Sequence, residues 1–230
     1  MTKPSNSVDF SLVLASSVHD MKNSIGMLVA SLESFIEEFP PANDRQSKHF
    51  NTLHYEASRI NAELVQLLTI YRMQNDHLPL RVDQHYVIDV LEDQLARNHS
   101  LLEGRNIHPR LECDDSLEWF FDADLVGSVV QNVIVNCSRY TRGQLLVSAT
   151  VESDFLRILV ADDGGGYPPN MLESPSILVN SAEVSEGNTH LGLYFAEEIA
   201  RLHKQKNRVG YIRLENGPPL GGGCFNLFLP

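Results

Sequence analysis

Two runs of apolar residues, alternately three and four positions apart, constrain this chain more than anything else in it. Val18, Met21, Ile25, Leu28, Leu32, Phe35 and Phe39 form the first, and Phe50, Leu53, Ala57, Ile60, Leu64, Leu67 and Tyr71 form the second. That spacing lines each set along one helix face, in the a/d geometry of a packed bundle. Between the runs, Pro40-Pro41 cannot continue a helix, and Asn43 or Asp44 can cap a new one. The pattern predicts an antiparallel hairpin of two amphipathic helices. A lone hairpin leaves much of its apolar stripe in water, whereas two copies close a four-helix bundle, so a homodimer is expected. The alternative is that the hairpin packs on the C-terminal half of its own chain.

The pattern changes after Leu78-Pro79, with a hinge expected near 76–81. Residues 86–102 and 123–141 read as helices, 145–151 and 155–161 as strands joined by a Glu-Ser-Asp turn, and 195–203 as a further helix. Residues 209–215 and 224–229 read as a closing hairpin across a Gly/Pro-rich loop. Helices and strands mix without a regular βαβ repeat, so the fold class expected is α+β: a helical hairpin over 1–77, then an α/β two-layer sandwich over 78–230.

Composition narrows the function classes. The 230 residues are 43% hydrophobic, enough for a sizeable core. Thirty acidic against eighteen basic residues give a formal charge of −12, which argues against a broad nucleic-acid footprint but leaves room for a nucleotide held by local donors and a metal ion. The three cysteines, Cys113, Cys137 and Cys224, form no CxxC pair, as expected for free thiols in a reducing compartment. No apolar run approaches the roughly 20 residues of a membrane span, and the N-terminus has no signal-peptide pattern. A cytoplasmic location is expected.

Three segments carry chemistry. His19-Asp20-Met21-Lys22-Asn23 sets an imidazole beside a carboxylate, with an amide one helical turn on. His19 is one residue past the seam position Val18, so it should reach solvent, where imidazole is an adequate nucleophile at neutral pH. In the second segment, Asn132 and Asn136 share a helix face and offer hard oxygens suited to Mg²⁺; Arg139 can approach a phosphate and Tyr140 can flank the site. In the third, Asp162 ends an apolar strand and opens a glycine bend through Gly164 and Gly166; its carboxylate can accept from an adenine amino group while glycine lets the backbone approach the ring. The other histidines have no metal-ligand spacing.

In this order the three segments resemble the H, N and G1 boxes of two-component sensor histidine kinases, the last shared with the DNA gyrase, Hsp90 and MutL ATPases. Gly187-Asn188-Thr189-His190-Leu191-Gly192-Leu193 resembles the G2 box, with His190 in place of a glycine, and Gly221-Gly222-Gly223 resembles the terminal glycine turn. Ser24 replaces the usual H-box proline, Cys137 the usual N-box alanine, and the lid over 170–187 has no Phe-rich F box. The resemblance implies a dimerisation and phosphoacceptor domain (1–77) and a catalytic ATP-binding domain (78–230). It implies His19 as phosphoacceptor, Asp20 serving autophosphorylation and Asn23 dephosphorylation. ATP would be bound by Asn132, Asn136, Arg139, Tyr140, Asp162, Gly164, Gly166, Thr189, Gly192 and Leu193, with Mg²⁺ on Asn136 assisted by Asn132. A response-regulator aspartate would receive the phosphoryl group, and a separate sensory or activating protein would supply the stimulus. Two other functions compete: a phosphotransfer adaptor or phosphatase-only protein on a degenerate scaffold, favoured by His190 and Ser24, and an anti-sigma type serine kinase, which lacks such a hairpin.

Overall fold

The computed structural model describes residues 10–75, 78–173 and 191–230. Its first two elements are the predicted hairpin, α1 (Phe10–Glu38) and α2 (Asp44–Gln74). α1 stops before Pro40, and Asn43 caps α2 by accepting the Gln46 N–H at 3.0 Å. Glu33 meets His54 at 3.0 Å, and the rings of Phe35 and Phe50 stand 5.8 Å apart, which sets the antiparallel pairing. Each heptad stripe is split in two. On α1, Val18, Ile25 and Leu32 are buried or half-buried while Met21, Leu28 and Phe35 are exposed. On α2, Phe50, Ala57, Leu64 and Tyr71 turn inward while Leu53, Ile60 and Leu67 face out.

Behind the hairpin lies a five-stranded sheet in the order β2 (His108–Glu112), β4 (Gln144–Glu152), β5 (Phe155–Asp162), β9 (Gly223–Leu229), β8 (Tyr211–Asn216). β2 runs parallel to β4, and the other neighbours are antiparallel. A small ribbon pairs β1 (Asp83–Tyr86) with β3 (Glu118–Phe121), and another pairs β6 (Lys204–Gln205) with β7 (Arg208–Val209). The helices of this half are α3 (Val87–Arg97), α4 (His99–Gly104), α5 (Ala123–Tyr140), the short α6 (Pro169–Glu173) and α7 (Leu191–Leu202). One sheet face packs on them through Leu145, Val147, Ile158, Val160 and Leu227, meeting Val126, Val130 and Ile134 of α5 and Phe195 and Ile199 of α7. Alternate residues Leu146, Leu159 and Ala161 turn to the other face and form a smaller cluster with Cys224.

Two of the boundaries that differ from expectation have a visible cause. The helix predicted over 86–102 is two helices, because the buried Asn98 turns its amide back to the Gln94 carbonyl at 2.7 Å and interrupts the regular backbone. The last hairpin begins at Tyr211, after Gly210, where a β-carbon would strike the carbonyls of Ala200 and Phe228.

α2 does not stand apart from this layer. Ile70 belongs to the main core and Met73 packs against it, while Tyr55 closes a separate cluster with Leu101 of α4 and Val135 of α5. The Arg105 guanidinium lies 4.2 Å from the Tyr55 ring centre and donates to the Ser138 carbonyl at 2.8 Å; Asn51 donates to the Gly104 carbonyl. The alternative weighed from the sequence, a hairpin seated on its own C-terminal half, is therefore realised, and the outward heptad positions remain uncovered.

Candidate nucleotide site and phosphoacceptor helix

α5 is held at its start by Asp122, whose carboxylate accepts the N–H groups of Leu125 at 3.0 Å and Arg81 at 2.8 Å. Its apolar face goes to the core, so Asn132 and Asn136 fall together on the flank beside α7. The Asn132 oxygen accepts from Asn136 Nδ2 at 3.2 Å and from Gln66 Nε2 of α2 at 2.6 Å. Gly192, in the first turn of α7, lies so close that a β-carbon would sit 2.6 Å from Asn132 Nδ2.

β5 delivers Asp162 to the opposite wall. One carboxylate oxygen accepts the N–H of Gly164 at 2.7 Å and of Gly223 at 3.3 Å, and the residue lines the cavity. The glycine turn before β9 has to be glycine here: a β-carbon on Gly222 would lie 2.5 Å from the Asp162 carbonyl, its carboxylate and the Gly164 nitrogen. Neighbouring Asp163 has a different task. Burial pushes its carboxyl up, but hydrogen bonds from the Thr141 hydroxyl and the N–H groups of Arg142, Gln144 and Gly143 outweigh that and hold it at about 2. It ties the end of α5 to the end of β5, fixing the two walls relative to each other.

Between the walls is a cavity of about 360 Å³, a size usual for small-molecule sites. Of the residues expected from the sequence, Asn132, Asn136, Tyr140, Asp162, Gly166, Gly192 and Leu193 line it. Gly164 stands behind Asp162, and Arg139 is outside the lining, its guanidinium 5.5 Å from the Tyr140 ring centre. Thr189, with Gly187 and His190, lies outside the described residues. The sequence reading missed Tyr167, Met171 and Phe225 as lining residues, although Tyr167-Pro168 follows directly on the glycine bend. Burial, with Asp162 close by, keeps the Cys137 thiol well above its ordinary value; burial, with Cys137 and Asp162 beside it, does the same for the Tyr167 phenol. Asp162 is the one carboxylate residue among the described lining residues, set in an apolar slot that suits a planar base carrying an amino group.

No group of three or more His, Cys, Asp or Glu residues that could hold a metal occurs among the described residues. The oxygen donors offered at the Asn132 end are amides. The Asn132 oxygen already accepts two N–H groups, so of these two amides Asn136 has the oxygen left for a cation. A single hard donor fits Mg²⁺, which takes most of its ligands from phosphates and water.

His19, Asp20 and Asn23 lie on α1, away from this cavity. His19 is half-exposed; its Nδ1 is 3.4 Å from Asn23 Nδ2 and 3.6 Å from the Asp20 carboxylate, and Nε2 is turned away from both. Ser24, in place of a helix-bending proline, returns its hydroxyl to the Asp20 carbonyl at 2.9 Å, and α1 continues through it. The hairpin pairing puts His19 level with about residues 66–68 of α2, the stretch that touches Asn132.

Residues 121–230 match the family described as histidine kinase-, DNA gyrase B- and HSP90-like ATPase. Sensor protein SrrB of Staphylococcus aureus is 22% identical over 196 residues, 83% of this chain but 34% of that protein, so the chain spans about a third of the length of this relative. Among solved structures, Acinetobacter baumannii histidine kinase AdeS aligns with 92% of this chain and 96% of its own at 19% identity and a TM-score of 0.58. The catalytic domain of histidine kinase ThkA, free of nucleotide, aligns with 65% of this chain and 96% of its own at 18% and 0.53; the cytoplasmic segment of histidine kinase QseC aligns with 74% and 94% at 17% and 0.52. The cavity walled by paired asparagines and an Asp-glycine bend thus lies within a segment, residues 121–230, that carries a histidine kinase-, DNA gyrase B- and HSP90-like ATPase domain, and the fold of the chain is similar to that of solved histidine kinases.

Proposed function

We propose that this protein is an ATP-dependent protein-histidine kinase that phosphorylates its own His19 and passes the phosphoryl group to an aspartate of a response regulator. The observation that carries the reading is the pairing of an exposed imidazole, flanked by Asp20 and Asn23, with a nucleotide-type cavity at the same level of the hairpin. Asp162 would accept the adenine amino group, Tyr167 and Phe225 would enclose the base, and Gly192 and Leu193 would border the phosphates at the start of α7. Asn136, oriented by Asn132, would hold a Mg²⁺ whose charge offsets that of the triphosphate. Nε2 of His19 attacks the γ-phosphorus as the bond to the bridging oxygen breaks and ADP departs with that electron pair. Asp20 takes the proton from Nδ1 as positive charge builds on the ring. Asn23 is suited to orient a water toward a phosphorylated regulator, which would add dephosphorylation to the activity.

We further read 1–77 and 78–230 as the phosphoacceptor and catalytic domains and the working unit as a homodimer. Met21, Leu28 and Phe35 with Leu53, Ile60 and Leu67 leave two exposed apolar rows at heptad spacing, the arrangement a second hairpin buries. The reading places the protein in the cytoplasm, with the response regulator it would serve; none of the described helices is long and apolar enough to cross a membrane. The test is incubation with γ-labelled ATP and Mg²⁺ beside His19→Ala and Asn136→Ala. Acid-labile label on the parent alone is expected. Label that survives on His19→Ala would move the phosphoacceptor elsewhere, and a parent that binds no nucleotide would refute the kinase reading.

A further inference from the structure

Gln66 is a polar side chain, 3% exposed, in the middle of the α2 face that meets the ATPase half. Nothing in hairpin packing asks for an amide at that depth, and a buried amide needs partners. Its partner is Asn132, itself 6% exposed, at 2.6 Å. The bond fixes more than the seam between the two halves. With Gln66 Nε2 and Asn136 Nδ2 both donating to the Asn132 oxygen, Asn132 cannot turn its amide without losing two hydrogen bonds. Asn132 Nδ2 is confined by Gly192 on its other side. Asn136, whose nitrogen donates to Asn132, lines the cavity, and among the described residues its oxygen accepts no hydrogen bond that competes with a cation. Next to this chain of amides, Arg59 and Glu63 of α2 border a small space of about 20 Å³ that reaches Asn136 and Gly192, room for about one water. The hairpin is thus part of the wall at the metal and phosphate end of the site.

We infer that Gln66 is a positioning residue of the nucleotide site, contributed by the hairpin: through Asn132 it orients the Asn136 oxygen for the Mg²⁺ that accompanies the nucleotide, so that metal–nucleotide binding and docking of α2 favour each other. This rests on the reading of the cavity as a Mg²⁺–nucleotide site. By linkage, whatever strengthens one of the two events strengthens the other by the same factor.

The experiment uses the whole chain and compares the parent with Gln66→Met, which keeps the side-chain length and apolar packing but removes the donor. Calorimetric titration with ADP in the presence of Mg²⁺ is set beside titration with adenosine in chelator, which probes the base slot alone. Amide hydrogen exchange along residues 62–73 is followed with and without Mg²⁺–ADP. Gln66→Met is expected to weaken Mg²⁺–ADP binding about five- to tenfold, the equivalent of one buried amide hydrogen bond, and to leave adenosine affinity within about twofold. Exchange along α2 should slow on adding Mg²⁺–ADP in the parent and much less in the variant. Unchanged Mg²⁺–ADP affinity, or tighter binding by the variant, overturns the inference, and so does an equal loss for adenosine, because Gln66 would then support the pocket as a whole. A parent that binds adenosine but no Mg²⁺–ADP would remove the underlying reading and this inference with it, whereas a parent that binds both, with an unaffected variant, removes this inference alone.

Discussion

Replacing Asp162 by asparagine changes one atom in the cavity, and the hydrogen bonds around it determine which way the new amide must face. The oxygen beside the glycine turn accepts two backbone N–H groups, from Gly164 at 2.7 Å and Gly223 at 3.3 Å. An amide nitrogen placed there would meet two donors and leave both buried and unpaired. The carbonyl therefore takes that position, and the NH₂ points into the cavity. A base that presents an amino group then meets a donor where it had met a carboxylate. The loss is one hydrogen bond to a charged group, about 1.5–3 kcal/mol, or roughly a 10- to 150-fold weaker affinity for adenine nucleotides. The fold should survive, since both backbone hydrogen bonds are kept. The same NH₂ can donate to a 6-oxo group, so the preference for ATP over inosine triphosphate should shrink or reverse. The assay is calorimetric titration of Asp162→Asn and the parent with ADP, ATP and inosine triphosphate, beside a thermal melt. ADP affinity within about twofold of the parent, with an intact melt, would refute the assignment of Asp162 to the base.

Three further outcomes follow from the geometry. Asp163 has its carboxyl held at about 2, below the ~3.9 of an unfolded chain, so it stabilises the fold fully above about pH 4, and that contribution fades as the pH falls from there toward 2; Asp163→Asn should remove about 1–2 kcal/mol at neutral pH and flatten the acid limb of a denaturant-midpoint profile. Leu28→Glu combined with Ile60→Glu puts charge in both exposed heptad rows and should convert a dimer to a monomer in light scattering while the ATPase half still melts as before. Ile70→Ala should cost about 2–5 kcal/mol in urea unfolding of the whole chain, because Ile70 is buried in the main core; a loss under about 0.5 kcal/mol would mean that α2 is not seated there in solution.

What could be read from the sequence depended on whether a residue's task was local. Asn43 caps α2 through a bond three residues away, and the heptad stripes specify their helices by period alone, so both were legible. Asn132, Asn136 and Asp162 were legible as a cavity because their spacing is a known pattern on a helix and at a strand end. β1 and β2 were not, since Asp83–Tyr86 and His108–Glu112 are short, largely exposed strands at sheet edges with no alternation to detect. Spacing placed Arg139 less closely, for a related reason. Its place one turn past Asn136 gives its height on α5 but not its side, and the structure turns it toward Tyr140 and out of the cavity lining.

α2 shows that packing on the ATPase half leaves a face over for a second hairpin. A helix has room for three faces: here one meets α1, one meets the C-terminal half and one stays exposed. Phe50, Ala57, Leu64 and Tyr71 turn inward; Leu53, Ile60 and Leu67 stay exposed; and Tyr55, Gln66, Ile70 and Met73 meet the ATPase half. The first two sets are apolar at heptad spacing and announce themselves. The third mixes an aromatic, an amide and two aliphatics, so its period is hidden by polarity, and its members could be recognised only once their partners Leu101, Val135 and Asn132 were in place. The arrangement has a mechanical consequence. A rotation of α2 that repacks its inward row must also move Gln66 against Asn132 and Ile70 in the core, because one rigid helix carries all three. On the function proposed above, such a rotation would be felt at Asn132 without any separate linkage between hairpin and cavity.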